Sequence, residues 1–198
     1  MSAEEQKMPE KLSWQKNTAM YLHDLVYLLA VLMVGLLLVF RIVIVSGSSM
    51  FETLVDGDYL LLLSNTIYQN PEQGDIVVLS KESFDNGTPI VKRIIATEGQ
   101  TVDIDFNAGI VYVDGVALDE PYTNTLTTVS GGTQFPLTVA EGCVFVLGDN
   151  RAVSRDSRYP EIGMVDEREI LGKAIFLMVP GTHYDTVERD FGRIGVVE

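Results

Sequence analysis

The chain has very little histidine and very little cysteine. Two histidines occur among 198 residues, His23 ahead of a long apolar run and His183 near the far end. Neither is placed to serve a serine, so a Ser-His-Asp arrangement is a weak reading and any base must be sought among the lysines. Cys143 is the single cysteine. It excludes an internal disulfide, and in the apolar context CVFVL it reads as a small buried hydrophobe rather than a reactive thiol. No His/Cys/Asp cluster has metal-ligand spacing, so no metal and no cofactor is expected. Positive charge is also scarce: 14 Lys and Arg stand against 28 Asp and Glu, a formal net charge of -14. That balance excludes a nucleic-acid binder, because no basic patch could offset it. Past Val45 amphipathic helical periodicity is absent as well, which argues against alternating helix and strand layers.

What the chain does have is one long apolar run. Leu25 to Phe40 is unbroken, and Ile42 to Val45 continues it past Arg41. As a helix, at roughly 1.5 Å per residue, Leu25–Val45 covers about 30 Å, the thickness of a bilayer core. Arg41 near its end can snorkel to headgroups. No small-x-small site with a turn follows promptly, so an uncleaved anchor is favoured over a removed signal peptide. Residues 1–24 are polar, with Pro9 where a helix could begin and Trp14 and Tyr21 suited to a membrane interface. Lys7, Lys11 and Lys16 precede the run and Arg41 follows it. The positive-inside rule then makes 1–24 a cytoplasmic segment, 25–45 a single transmembrane anchor and 46–198 an extracytoplasmic domain.

That domain reads as all-β. The runs 59–63, 75–80, 89–96, 101–105, 110–115, 143–148 and 172–179 are short and rich in branched and aromatic residues, with Gly, Asp and Asn turn signals between them. Asp114-Gly115 is a strong two-residue hairpin turn. The spacing predicts a sandwich or barrel-like body. Residues 119–141 are polar, threonine-rich and turn-rich and read as an extended or partly mobile surface excursion; 166–169 reads as a brief helical turn.

Three stretches carry chemistry. In VIVSGSSMFETL, Met50 can turn into an apolar layer and leave the Ser49 hydroxyl free, while Gly47 permits close backbone approach. Serines beside a glycine also make an ordinary loop. In Ile90-Val91-Lys92-Arg93-Ile94-Ile95, alternation puts Lys92 on one face with Ile90 and Ile94, and Arg93 on the other. A desolvated lysine there would be neutral enough to accept a proton from serine, whereas an edge-strand lysine would only discourage pairing. The third stretch, GDNRAVSRDSR at 148–158, packs acids, arginines and turn formers behind an apolar strand. Its side chains could fix a loop at a site or form surface ion pairs of little value.

Together these stretches resemble the type I signal peptidases, membrane-anchored serine-lysine proteases of the bacterial type. SSMFETL resembles the family's nucleophile box, Gly74-Asp75-Ile76-Val77 the next box, VKRIIATEGQ the box of the general-base lysine, and GDNRAVSRDSR the last. The resemblance implies a β-rich catalytic body behind one N-terminal transmembrane helix, presented outside the cell membrane. It implies Ser49 as nucleophile and Lys92 as base, with Ser154 orienting the lysine. Asp156 and Arg158 would support the site, and Asp149 and Arg151 would be structural members of the same loop. The Ser49 N–H would serve an oxyanion hole beside Gly47, Ser48 and Met50. Implied substrates are membrane-inserted preproteins, cleaved after a small-x-small site through an acyl-enzyme, with the phospholipid bilayer as the shared surface.

There are departures from the family pattern. Glu52 stands where the family has proline, Gly47 where some members have a serine, and Thr97-Glu98-Gly99-Gln100 where Leu-Pro-Gly-Asp is usual. The glycine and the compact length resemble the Gram-positive branch. Two other readings remain: a self-cleaving repressor-type protease, which the apolar run and the acidity disfavour, and a tethered β module that only binds peptides.

Overall fold

The computed structural model of the chain describes residues 10–182 and 188–197. Pro9 and His183 lie outside the described residues, as do the side chains at 10–13 and 15. The chain divides into two units, residues 1–39 and 40–198.

The first unit is one helix, α1 (Glu10–Val39). Its stretch Lys16–Val39, 24 residues, is long and apolar enough to cross a membrane. Trp14 and the large apolar side chains from Met20 to Leu38 are exposed all round, as expected for a helix with no apolar stripe to hide. The helix takes in residues 10–24 as well as the apolar run, and it differs from expectation at its far end, stopping at Val39 rather than running to Val45. Phe40–Ile44 is instead strand β1, paired antiparallel with β2 (Tyr59–Ser64) from Phe40 opposite Leu63 to Ile44 opposite Tyr59. Three consecutive β-branched residues, Ile42, Val43 and Ile44, favour that state, and β2 supplies the partner.

The second unit continues with β3 (Ile76–Leu79), β4 (Ile90–Ala96), β5 (Thr101–Asp105), β6 (Ile110–Val113) and β7 (Val116–Ala117). It is completed by β8 (Leu137–Thr138), β9 (Cys143–Leu147), β10 (Val165–Asp166), β11 (Ile170–Val179) and β12 (Gly195–Val196). The larger sheet has the order β1-β2-β11-β3-β4-β9-β10, with β12 on β11; the smaller has the order β7-β6-β5-β8. All the described pairings are antiparallel. Each anticipated run is a strand within a few residues. The β6–β7 hairpin turns at Asp114-Gly115, both at positive φ. A 3-10 turn at Glu167–Glu169 carries a capping box from Asp166 and Glu169.

Three apolar clusters form the core. Met50 and Leu54 pack with Leu60, Leu62, Ile76, Val78 and Ala174 on one face of the larger sheet. Val77, Ile94, Val146 and Ile162 fill the other face, and the smaller sheet closes over Ile95, Ala96, Phe145 and Leu147. β4 therefore lies inside the sheet, between β3 and β9, with residues 92–96 buried on both faces. That removes the edge-strand reading of Lys92. Cys143 is half-buried against the smaller-sheet cluster, and burial raises its thiol pKa.

Residues 119–141 lie largely at the surface but are tied down at several points. Val139 is buried in the core, Leu137 and Thr138 pair with β5, and Thr127 is 1% exposed beneath Arg151.

Candidate active site

The turn that carries Ser49 is built from both of its ends. Val45 leaves β1 buried, and its N–H donates to the Asp58 carbonyl at 2.8 Å. Met50, 1% exposed, and Leu54 sink into the core and pin the turn from below, which leaves Ser49 half-buried at its top. Gly47 is needed for its conformation, at φ +89°, rather than for close approach, since a Cβ there would meet open space. Its N–H donates to Asp56 Oδ1 at 2.8 Å. Ser48 is half-buried next to Ser49. The Phe51–Glu52 peptide is cis, and Glu52 is exposed.

β4 brings Lys92 to this turn. Nζ lies 2.8 Å from Ser49 Oγ and 2.9 Å from the Val91 carbonyl oxygen. The lysine is 2% exposed, and burial lowers its pKa from 10.5 to about 8. The fields of Asp156 and Asp149 oppose that shift and Arg158 adds to it, but desolvation dominates. When protonated, Nζ donates to Ser49. Once neutral, the same contact lets the serine hydroxyl donate to the nitrogen lone pair, the geometry for proton abstraction.

The loop 148–158 grips the turn from the other side. Gly148 is required for close approach: a Cβ there would lie 2.5 Å from Ser49 O and 2.1 Å from Ser154 Oγ. Asn150 fixes both carbonyls around the nucleophile, its N–H donating to Ser49 O at 3.0 Å and its Nδ2 to Ser48 O at 3.1 Å. Thr53 Oγ1 donates to Asp149 Oδ2 at 2.6 Å. Asp156 and Arg158 pair at 2.8 Å with both side chains fully buried. Asp156 also accepts from Gly148 N, while Arg158 donates to the carbonyls of Arg151, Ser154 and Val129. These are paired and hydrogen-bonded interior charges, unlike surface pairs.

One expectation is corrected. Ser154 does not reach Lys92: its buried Oγ has no hydrogen-bond partner among the described residues, and Nζ is turned to Ser49 and Val91. Asp149 and Arg151 both lie buried in this loop, and each pairs with a residue outside it. Asp149 is engaged bidentately by Arg93, at 2.9 and 2.8 Å, and Arg151 reaches Glu120 at 2.6 and 3.0 Å. Glu120, Thr127 and Tyr122, whose ring lies 3.9 Å beneath the Arg93 guanidinium, fall in the segment that the sequence presents as an extended or partly mobile surface excursion. Asn150 and Arg93 were also passed over, although a cation on the opposite face of the lysine's strand needed a buried acid. Among the described residues, Ser49, Lys92, Met50, Asp149, Arg151, Ser154, Asp156 and Arg158 thus gather around one turn and one loop.

A family model described as signal peptidase, peptidase S26, matches residues 18–179. A probable signal peptidase I-1 of Synechocystis is 36% identical over 71% of this chain and 71% of its own. Signal peptidase I T of Bacillus subtilis is 31% identical over 91% of this chain and 96% of its own. A crystal structure of a signal peptidase I from Enterococcus faecalis is 32% identical, with a TM-score of 0.43 over 53% of this chain and 97% of that one. The class is that of the serine peptidases. More narrowly, the chain belongs to the signal peptidase family, peptidase S26, and its activity is the cleavage of signal peptides.

Proposed function

We propose that the chain is a membrane-anchored endopeptidase in which Ser49 is the nucleophile and Lys92 the general base. The observation that carries this reading is the 2.8 Å contact between Ser49 Oγ and a lysine nitrogen whose pKa burial has lowered to about 8. Neutral Lys92 takes the hydroxyl proton as Ser49 attacks the scissile carbonyl. The resulting ammonium gives that proton to the leaving amine, and an acyl-enzyme remains. Water, deprotonated by the same lysine, adds to the ester and releases the acid and Ser49. The Ser49 N–H, which meets no acceptor among the described residues, faces the developing oxyanion. Asn150 and Gly148 hold the turn in place for that step.

The substrate is an exported preprotein inserted in the phospholipid bilayer, whose cleavage segment lies extended along β1, an edge strand of the larger sheet. A cavity of about 80 Å³ beside Ser49, lined by Val43, Val45, Met50, Pro89 and Val91, suits a small apolar side chain. That supports cleavage after a small-x-small site such as Ala-x-Ala. α1 is the anchor, with its N-terminal end cytoplasmic and residues 40–198 outside. Enzyme and substrate then meet on one surface, which raises effective concentration.

The test is cleavage of a membrane-inserted Ala-x-Ala precursor by detergent-solubilised protein. Wild type cleaves after the second alanine, while Ser49→Ala and Lys92→Ala do not. Equal cleavage by Lys92→Ala would remove Lys92 as the base.

A further inference from the structure

The family match ends at residue 179, yet residues 188–197 return to the nucleophile turn. Arg189 bridges to Thr182, Phe191–Arg193 form one 3-10 turn capped by Asp190, and β12 joins β11 opposite Phe176 and Leu177. This route delivers Arg193 to Asp58 and Thr53, on either side of the turn's exit. Its Nη1 and Nη2 donate to the two Asp58 carboxylate oxygens at 3.0 and 2.8 Å, and Nη2 also donates to the Thr53 carbonyl at 3.1 Å.

Asp58 is fully buried and accepts from Val55 N at 2.8 Å and Gly181 N at 2.6 Å. The turn it organises is tied to the residues before Ser49: Val45 N donates to Asp58 O, Gly57 N donates to Val45 O, and Gly47 N donates to Asp56. Thr53 follows Ser49, and its hydroxyl is already held by Asp149. Arg193 therefore touches both flanks of the nucleophile turn, the entry through Asp58 and the exit through the Thr53 carbonyl.

We infer that Arg193, carried by the arm 188–197, is a positioning residue that fixes the nucleophile turn by joining Asp58 to the Thr53 carbonyl. The inference rests on the reading of Ser49 as nucleophile. The planar guanidinium suits the task, because its fork satisfies both carboxylate oxygens while one nitrogen also reaches a carbonyl. A lysine would supply the charge but not the fork. Without Arg193, Asp58 keeps its buried charge with only backbone donors, and the Thr53 carbonyl is released. A displacement of about 1 Å at a reacting atom can lower a rate about 10²-fold.

The test uses the full chain and the precursor assay, with wild type, Ser49→Ala, Arg193→Lys, Arg193→Ala and Arg193→Gln. For each, kcat, KM, the pH profile and the melting temperature are measured. Arg193→Ala is expected to lower kcat about 10- to 100-fold while KM changes less than about threefold, as for lost positioning rather than lost binding. The half-maximal pH stays at the wild-type value, since Lys92 is untouched, and Arg193→Lys is intermediate. Guanidinium chloride at millimolar concentration, against equal sodium chloride, restores part of kcat to Arg193→Ala. A cavity of about 330 Å³ at this position, lined by Thr53, Leu54, Leu177, Val196 and Val197, admits the ion.

Wild-type kcat in folded Arg193→Ala would overturn the inference. So would a loss that only follows the melting temperature and that neither Arg193→Lys nor guanidinium relieves. If Arg193→Ala does not fold, Arg193→Gln carries the same comparison. An active Ser49→Ala would instead overturn the reading of the nucleophile and leave the arm's contacts as a stability device.

Discussion

The two faces of β4 carry adjacent buried cations that have been treated in opposite ways. Lys92 and Arg93 are each 2% exposed. Arg93 meets Asp149 through a two-pronged ion pair, donates to the Gly74 carbonyl and stacks on Tyr122. Its charge is compensated and permanent. Lys92, on the other face, has a hydroxyl and a carbonyl for partners, and among the described residues no carboxylate lies within ion-pair distance of it. Its charge is opposed only at a distance, by the fields of Asp156 and Asp149, and with desolvation dominant its pKa falls to about 8. A protein that can pair one buried cation so completely has left its neighbour without a direct ion pair, the treatment that the proposed general base requires.

The largest effect should come from erasing the difference. Lys92→Arg puts a permanently protonated group on the serine, so kcat should fall at least about 10²-fold in the precursor assay with the protein still folded. The same contrast sets the pH dependence of the wild type. With Lys92 as the proposed base, kcat/KM should rise with pH, be half-maximal near pH 8, and lose about tenfold per pH unit below that. A profile flat from pH 6 to 9 would break the comparison.

On the other face, Arg93→Ala strands the buried Asp149 carboxylate and should destabilise the fold by about 3–5 kcal/mol in urea titrations at pH 7. Stability also separates the two cations. An unfolded lysine keeps its proton up to 10.5, while folded Lys92 releases it near 8, so stability rises with pH across that window. Below pH 8 both states hold the proton and the full penalty, about 3 kcal/mol, remains. Lys92→Met should therefore melt higher than wild type at pH 7, with the gap closing between pH 8 and 10.5.

The smallest effect belongs to a pair that repeats the Arg93–Asp149 chemistry in solvent. Arg168 engages Asp166 through two nitrogens, but the arginine side chain is 89% exposed. Although its pairing lowers the Asp166 pKa, Arg168→Ala should leave the melting temperature unchanged, because water and salt screen the interaction.

Much of the fold was legible because its signals are local. β-branched runs of alternating pattern, separated by Asp-Gly and Asn-Ala-Gly, give β2 to β6, β9 and β11 nearly where they stand. The turn around Ser49 was readable as well, since Met50 and Leu54 have the apolar character that anchors it. β1 was not legible. Its residues continue an apolar run that is equally suitable for a helix, and only the ladder with β2 decides the matter. Nor was the role of 119–141 legible, because Glu120, Thr127 and Val139 sit among polar residues that look solvated until Arg151 and the core reach them. Ser154 shows the reverse case: a role implied by resemblance that the hydrogen bonding does not display.

By itself the sequence determined the β-rich class, the apolar helix, and the poverty of histidine that sends the search for a base to lysine. Backbone preference, turn chemistry and residue type are written within a few neighbouring positions. The tertiary structure alone decided that Lys92 lies buried on an interior strand, 43 positions from the serine it touches. It also decided that Asp149 belongs to Arg93 and that Arg193 joins the two flanks of the nucleophile turn. A lysine's proton affinity and a carboxylate's choice of partner depend on what excludes water around them, and that is supplied by strands from distant parts of the chain.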